Sequence, residues 1–187
     1  MKQISDILDF WFLPASHPDH GKDRKEWWQK DGDFDKEIKS TFLNTFEAAE
    51  NGHLLHWCGT AEGSLALIIL LDQFSRNMFR DTPRAFATDG KAREIARHVQ
   101  SAGFFDAYNL KQKCFAVLPF EHSEAIADQH RSISLFEKIG DENALDFAHR
   151  HLVIIEKFGR FPHRNDILGR ESTEAELKFL EQPNSSF

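Results

Sequence analysis

Arg160, His163, Arg164 and Asn165 fall within one short segment, 158–165, directly after a strongly apolar helical pattern. Guanidinium groups offer paired N–H donors that match a carboxylate or a phosphate, imidazole is a titratable ring, and the Asn amide both donates and accepts. Gly159 and Pro162 punctuate the segment, which therefore reads as a fixed loop rather than a helix face. Arg170 follows closely, and Asp166 is the one acid between Arg160 and Arg170. A positive cluster in an acidic chain fits an anion pocket. The same arginines would equally tie the loop to Asp72, Glu121 or Glu124, and both uses stay open.

A second cluster is Asp72, Gln73, Arg76, Asn77 and Arg80. At roughly 100° per residue these side chains share one arc of a helix. The arc continues an apolar run over 65–71, so it begins in the core, where polar groups must be paired or face a cavity. Asp72 and Arg76, four apart, can pair with each other. A register-fixing buried network and a ligand site both fit the pattern.

A third cluster, over 119–124, holds Glu121, His122, Ser123 and Glu124 and reads as a helix start, the preceding helix over 109–118 being stopped by Pro119. There Ser123 is expected to cap and Glu124 to offset the helix dipole. His122 and Gln129 project onto the stripe of Ile126, Ile133 and Phe136, towards the core. His151 sits mid-stripe in the helix that delivers the 158–165 loop. A lone histidine there is usually a hydrogen-bonded core residue, but its place two turns before Arg160 makes it a candidate.

The chemistry these groups suggest is proton transfer beside a bound anion. His122 or His163 would act as acid or base, oriented by Glu121 or Asp72, since an imidazole there is expected to titrate near neutrality. Arg76, Arg160 and Arg164 would hold the anion, with Asp72, Gln73, Asn77, Arg80, Gln129, His151 and Asn165 completing the binding set. Hydrolysis or phosphoryl transfer is the concrete reaction this suits. No metal is expected, because no HExxH-type spacing occurs and nearby arginines would repel a cation. No cofactor is expected either, because neither a glycine-rich phosphate loop nor a dinucleotide fingerprint is present.

These clusters need helices to position them, and the chain is helical by pattern almost throughout. Ile4, Ile7, Leu8, Trp11 and Phe12 open it. Asp33 is expected to cap a helix carrying Phe34, Ile38, Phe42 and Phe46, which Gly52 stops. Thr60 starts the apolar central helix, Thr88 caps one ending at Gly103, and 109–118 is a short helix. Asp141 or Asn143 opens the stripe containing His151, and Thr173 with Glu176 forms a capping box for the last helix. No strand alternation of useful length and no domain linker is legible. The reading is an all-α antiparallel stack, one domain over 1–182 with a loose tail over 183–187.

Composition bounds the partners. Phe is over-represented, 18 residues against one Tyr, which favours thick helix-on-helix packing. The net charge of -7 argues against nucleic acid. The 65–71 run is too short to span a bilayer, so no membrane partner is expected. Cys58 and Cys114 make neither a disulfide framework nor a zinc pattern, which points to a reduced cytoplasmic setting. The expected partner is a small anionic molecule or an acidic peptide.

The strings over 71–77, 119–124 and 158–165 together resemble the bacterial domain-of-unknown-function family 924. The opening at 7–12 and the segment at 168–173 resemble it too, so the likeness runs nearly the whole chain in order. One departure is Ser75, where the family usually has proline, with local helix geometry as the expected consequence. The resemblance implies an all-helical fold of the tetratricopeptide-repeat-like type and brings no activity with it. Three functions therefore compete: an anion-binding site, a helical scaffold for a peptide or protein, and a purely structural polar knot.

Overall fold

The computed structural model describes residues 1–183, 185 and 186. The protein is all-helical, and its described residues group into two compact units. The first comprises residues 1–80 and 84–119, the second residues 81–83 and 120–187.

In the first unit α1 (Ile4–Phe12), α2 (Gly32–Glu50) and α3 (Ala61–Ile68) surround an aromatic core. α3 runs without a break through a π-helical turn, Ile69–Phe74, into the short α4 (Ser75–Met78). This is the apolar run of the sequence, and every side chain from Leu65 to Leu71 is at most 1% exposed. A helix with no polar face belongs in the centre of its core. Trp11 meets Phe74 and Phe115 edge-on at 5.6 and 5.5 Å, and Phe10 stacks on Phe34 at 5.3 Å. Arg24 Nη1 donates to the carbonyls of Phe10 and Trp11 at 2.7 and 2.8 Å, satisfying carbonyls that α1 leaves open at its end. Trp28, by contrast, is 60% exposed, while its neighbour Trp27 is buried.

The π turn has a visible cause in its acceptors. Ser75 Oγ donates back to Leu71 O at 2.9 Å and Asp72 O at 3.1 Å, and Thr88 Oγ1 donates to Leu71 O at 2.5 Å. Side chains thus serve carbonyls that a widened turn displaces from the regular ladder. Thr88 stands at the N-cap of α5 (Asp89–Ser101), as its position suggested, but its hydroxyl makes no capping bond because it is directed at α3's continuation instead. The cap of α2 likewise is Asp31 rather than Asp33, since the Asp31 carboxylate accepts from Asp33 N and Phe34 N. Thr60 does cap α3, accepting from Gly63 N at 3.0 Å.

α6 (Leu110–Glu121) corrects the expectation that Pro119 ends this helix. Proline removes one i→i−4 bond, but the helix runs on to Glu121. Gln129 Nε2 holds its end from α7 (Ile126–Ile139), donating to Glu121 O at 2.6 Å and Ser123 O at 2.7 Å.

In the second unit α7 folds back into α8 (Glu142–Phe158) at Gly140, whose φ of +76° ends the first helix, and Asp141, whose carboxylate accepts from Ala144 N at 3.1 Å. α8 stops at Gly159, where φ is +69° and the N–H closes on Ile155 O at 2.8 Å. A 3-10 turn at Pro162–Arg164 follows, then α9 (Glu174–Leu180) opens with the expected Thr173–Glu176 capping box. Ile154, Ile155 and Phe161 form the core here, with Phe158 and Phe179 against it. The tail expected over 183–187 includes Asn184 and Phe187, which lie outside the described residues; Ser185 is buried, and its Oγ donates to Leu180 O at 3.1 Å. Among the described residues no helix is long and apolar enough to cross a membrane.

Candidate functional site

In the second unit the end of α6, the middle of α8 and the loop after Gly159 bring Glu121, His122, His151, His163 and Arg164 together. Phe161, fully buried, is the hub. The His151 ring meets it edge-on at 5.5 Å, the His163 ring lies tilted at 5.7 Å, and the Arg164 guanidinium carbon stands 4.4 Å over its face. His122 lies 6.3 Å from His151, ring to ring, and its carbonyl accepts from Arg164 Nη1 at 2.9 Å. His122 and His163 are half-buried, whereas Glu121, His151 and Arg164 are buried. The partly exposed rim is therefore two imidazoles, with a guanidinium and a carboxylate behind them.

His151 is anchored as a core residue. Its Nδ1 lies 2.8 Å from Phe147 O, one turn back on α8, and 3.3 Å from Glu121 Oε1. Facing a carbonyl, Nδ1 carries the hydrogen and donates it, which leaves Nε2 the acceptor. Burial first, then the positive fields of His122, Arg164 and His163, push the His151 pKa down to about 3, against the lift from the Phe147 bond. His163 is pushed down to about 4, by burial first and then by Arg164. Both rings are neutral at pH 7, so the expected near-neutral titration of His163 does not hold for the resting protein: desolvation and the adjacent guanidinium outweigh Glu124.

Arg160 and Arg170 have each found an acid, only one of them among those the sequence suggested. Arg170 donates Nη1 to Glu124 Oε2 at 2.8 Å and Nη2 to Oε1 at 3.0 Å, and Phe161 N adds a third bond to Oε1 at 2.8 Å. Burial works to raise the Glu124 pKa, but Arg170 and the Phe161 N–H hold it below the usual carboxylate range. Arg160 pairs with Glu176, Nε to Oε1 at 2.6 Å and Nη2 to Oε2 at 2.8 Å, and also donates to Glu171 O at 2.8 Å. Asn165, fully buried, bridges Ser172 Oγ and Arg170 Nε, both at 3.0 Å. Ser123 and Glu124 thus have other roles than the capping expected of them. α7 begins only at Ile126, so Glu124 precedes it and turns to Arg170, while Ser123 Oγ donates to Asp128 Oδ2 at 2.9 Å.

Gln129 is fully buried, and its Nε2 donates to Glu121 O at the end of α6 and to Ser123 O just beyond it, which fixes the amide's orientation. Its Oε1 accepts no hydrogen bond among the described residues.

The 72–80 arc belongs to the first unit. Asp72 is fully buried, and Gln73 Nε2 donates to its Oδ2. Arg76 Nη1 lies 3.3 Å from Asp72 Oδ1 and 2.6 Å from Asp72 O, as the i,i+4 spacing predicts. Both Nη atoms also reach the Asp89 carboxylate, at 3.0 and 3.1 Å. Arg80 forks onto Asp35 at 2.8 and 2.9 Å, and Asn77 Nδ2 joins the same carboxylate at 2.7 Å. Asp35 and Asp89 were not singled out by sequence; exposed-looking acids on unrelated helices carry no mark of their partners.

Among the described residues no group of three His, Cys, Asp or Glu side chains is arranged to hold a metal ion. The clustering of Glu121, His122 and the 158–165 loop reproduces the strings that carried the family likeness. Comparison with known families matches residues 7–184 to bacterial proteins of unknown function, DUF924. The chain belongs to this family. Its fold is similar to the solved structure of the protein of unknown function ATU0120 from Agrobacterium tumefaciens, with 40% sequence identity and a TM-score of 0.86, covering 95% of this chain and 96% of that one. No curated protein matches. The DUF924 assignment thus carries the all-α fold, and what the site does must be argued from its own groups.

Proposed function

We propose that the protein binds a small oxyanion, a carboxylate or a phosphate, at His122, His163 and Arg164 of the second unit. The supporting observation is the group of positive-capable side chains at and beside Phe161: the half-buried His163 ring and a buried guanidinium 4.4 Å over the Phe161 ring, with the half-buried His122 ring 6.3 Å from His151. Guanidinium and imidazole N–H groups are complementary to oxyanions, and partial burial strengthens such contacts over those in water. The reading is of binding rather than hydrolysis. The His163 imidazole, held near pKa 4, and the His151 imidazole behind it, held near 3, are poor bases at neutral pH, and the Ser123 hydroxyl is bonded to Asp128. Cys58 and Cys114, neither of them in a disulfide, support a reducing, cytoplasmic setting, and the α7–α8 hairpin supports a tetratricopeptide-repeat-like arrangement of the second unit.

Thermal shift with sulfate, phosphate and succinate, alongside native mass spectrometry of the purified protein, tests this reading. Stabilisation that rises with anion concentration and vanishes in His163→Gln supports it. No stabilisation beyond that given by matched chloride ionic strength would end it.

A second reading has its own observation. Arg160 and Arg170 are each held by a two-pronged carboxylate, Glu176 and Glu124, so the loop between them acts as a clasp that locks α7, α8 and α9. On this reading the polar knot serves stability alone, and the anion titration above would be flat.

A further inference from the structure

Four carbonyls in a row, where α6 ends, each have a named donor. Phe120 O accepts from Ser123 N at 3.1 Å, Glu121 O from Gln129 Nε2 at 2.6 Å, His122 O from Arg164 Nη1 at 2.9 Å, and Ser123 O from Gln129 Nε2 at 2.7 Å. A helix end leaves its last carbonyls without intrahelical partners, so outside donors decide how the chain leaves α6. Here the donors alternate. The carbonyls on either side of His122 answer to one side-chain amide of α7, and the carbonyl of His122 itself answers to the guanidinium of the proposed anion site. With the peptide units on both sides held, the direction in which the His122 side chain leaves the backbone is held as well. That direction carries its ring to 6.3 Å from His151.

The task suits glutamine and few other residues. A side-chain amide carries two hydrogens on one nitrogen, so it can serve two carbonyls, and it does so without adding a charge. Methionine is of similar length and supplies no donor, while asparagine is one methylene short. Gln129 is 0% exposed and offers no surface to an incoming anion. Its own backbone carbonyl accepts from Ser132 Oγ at 2.8 Å, which ties the residue further into α7. Its effect on the site therefore runs through the backbone of 121–123. Hydrogen bonds from imidazole and guanidinium to an oxyanion are directional, and a site is only as precise as the groups that hold its donors. Accepting the anion-site reading above, on which this rests, we infer that Gln129 is a positioning residue of that site: its amide, bonded to the carbonyls on both sides of His122, sets the His122 ring and, through His122 O, the Arg164 guanidinium where they receive the oxyanion.

Isothermal titration of the full chain with sodium sulfate, at fixed pH and against matched chloride, compares the wild type with two variants. Gln129→Met removes both bonds to the carbonyls. Asp141→Ala removes the N-cap of α8 and so lowers the stability of the same unit while leaving residues 121–123 with their donors. Each variant is titrated well below its own melting temperature, with circular dichroism showing it folded. Gln129→Met should weaken sulfate binding by about tenfold, the loss typical of residues that orient the groups touching a bound ion. Asp141→Ala should keep the wild-type affinity. A folded Gln129→Met with wild-type affinity, or equal losses in both variants, overturns the positioning role and leaves the anion site standing. A second measurement needs no variant. In 1H–15N spectra of the wild type, the side-chain amide pair of Gln129 should shift during the sulfate titration with the same midpoint as the His122 ring signals. A pair that stays still at saturation overturns the role even where Gln129→Met does not fold. The absence of any sulfate binding by the wild type overturns the anion site itself, and the positioning role with it.

Discussion

Arg170 and Glu124, forty-six residues apart, meet through both guanidinium Nη atoms and both carboxylate oxygens, at 2.8 and 3.0 Å. The same Arg170 reaches Phe161 O at 3.2 Å and Asn165 Oδ1 at 3.0 Å, so one side chain fixes the entry, middle and exit of the loop. Arg170→Ala should cost about 2 kcal/mol, in the range for breaking a partly buried hydrogen-bonded pair. Arg170→Lys should recover only part of it, because an ammonium keeps the charge but loses the planar fork. Urea denaturation measures both, and an Arg170→Ala protein as stable as the wild type would remove the clasp from the account.

Acid should loosen the second unit for a reason specific to its histidines. His151 sits at about pKa 3 when folded, against 6.5 when unfolded. Above pH 6.5 neither state binds the proton and the group is neutral in effect. Between 6.5 and about 3 the unfolded chain binds it and the folded chain does not, so stability falls with pH across that window. From pH 7.5 to 5.0 this single group should cost about 2 kcal/mol. His163, pushed down to about 4, acts in the same direction. Chemical denaturation at the two pH values should show a smaller loss in His151→Gln than in the wild type. An equal loss in both would mean that other groups set the acid sensitivity.

Glu176 makes the last helix depend on a residue from the loop. It is 2% exposed and accepts from Arg160 Nε and Nη2, from Thr173 N at 2.7 Å and from Thr173 Oγ1 at 3.0 Å. Arg160 first, then Thr173 against the cost of burial, holds its pKa down at about 2. Its contribution is complete above the ordinary carboxylate pKa of 4.5 and is lost as pH falls through about 2. Glu176→Ala should therefore fray α9 at neutral pH. Hydrogen exchange of the amides over 175–180 should accelerate at least tenfold while α7 exchange changes little; uniform acceleration of both helices would show that α9 does not open by itself.

The sequence made local relationships readable and left distant ones open. The Thr173–Glu176 box and the Asp72–Arg76 pair lie within one helical turn, so spacing alone specifies them. The apolar run 65–71 announced its burial because no polar face competed. The acids that hold Arg160 and Arg170 were a different matter. Glu176, Glu121, Glu124 and Asp72 are equivalent as carboxylates, and only the path of the chain selects Glu176 for one arginine and Glu124 for the other. Pro119 misled because its usual effect is local, while the Gln129 amide that completes α6 comes from the next helix. The π turn over 69–74 had no sequence mark beyond Ser75, which pointed to altered local helix geometry without saying what kind, and Phe161 gave no sign of being the hub of three polar neighbours.

The π turn yields a last prediction through a single carbonyl. Leu71 O accepts both Ser75 Oγ at 2.9 Å and Thr88 Oγ1 at 2.5 Å, with both hydroxyls buried. Either donor alone keeps this buried acceptor satisfied, so Ser75→Ala and Thr88→Val should each cost only about 1 kcal/mol, the net worth of one hydrogen bond. The double variant leaves neither, and the carbonyl then bears the full desolvation penalty. Its loss should exceed the sum of the singles by about 1 kcal/mol. A double-mutant cycle by urea denaturation reads this coupling directly. Additivity within about 0.3 kcal/mol would mean that a neighbouring backbone N–H takes over the acceptor, and that the side chains follow the π turn rather than hold it.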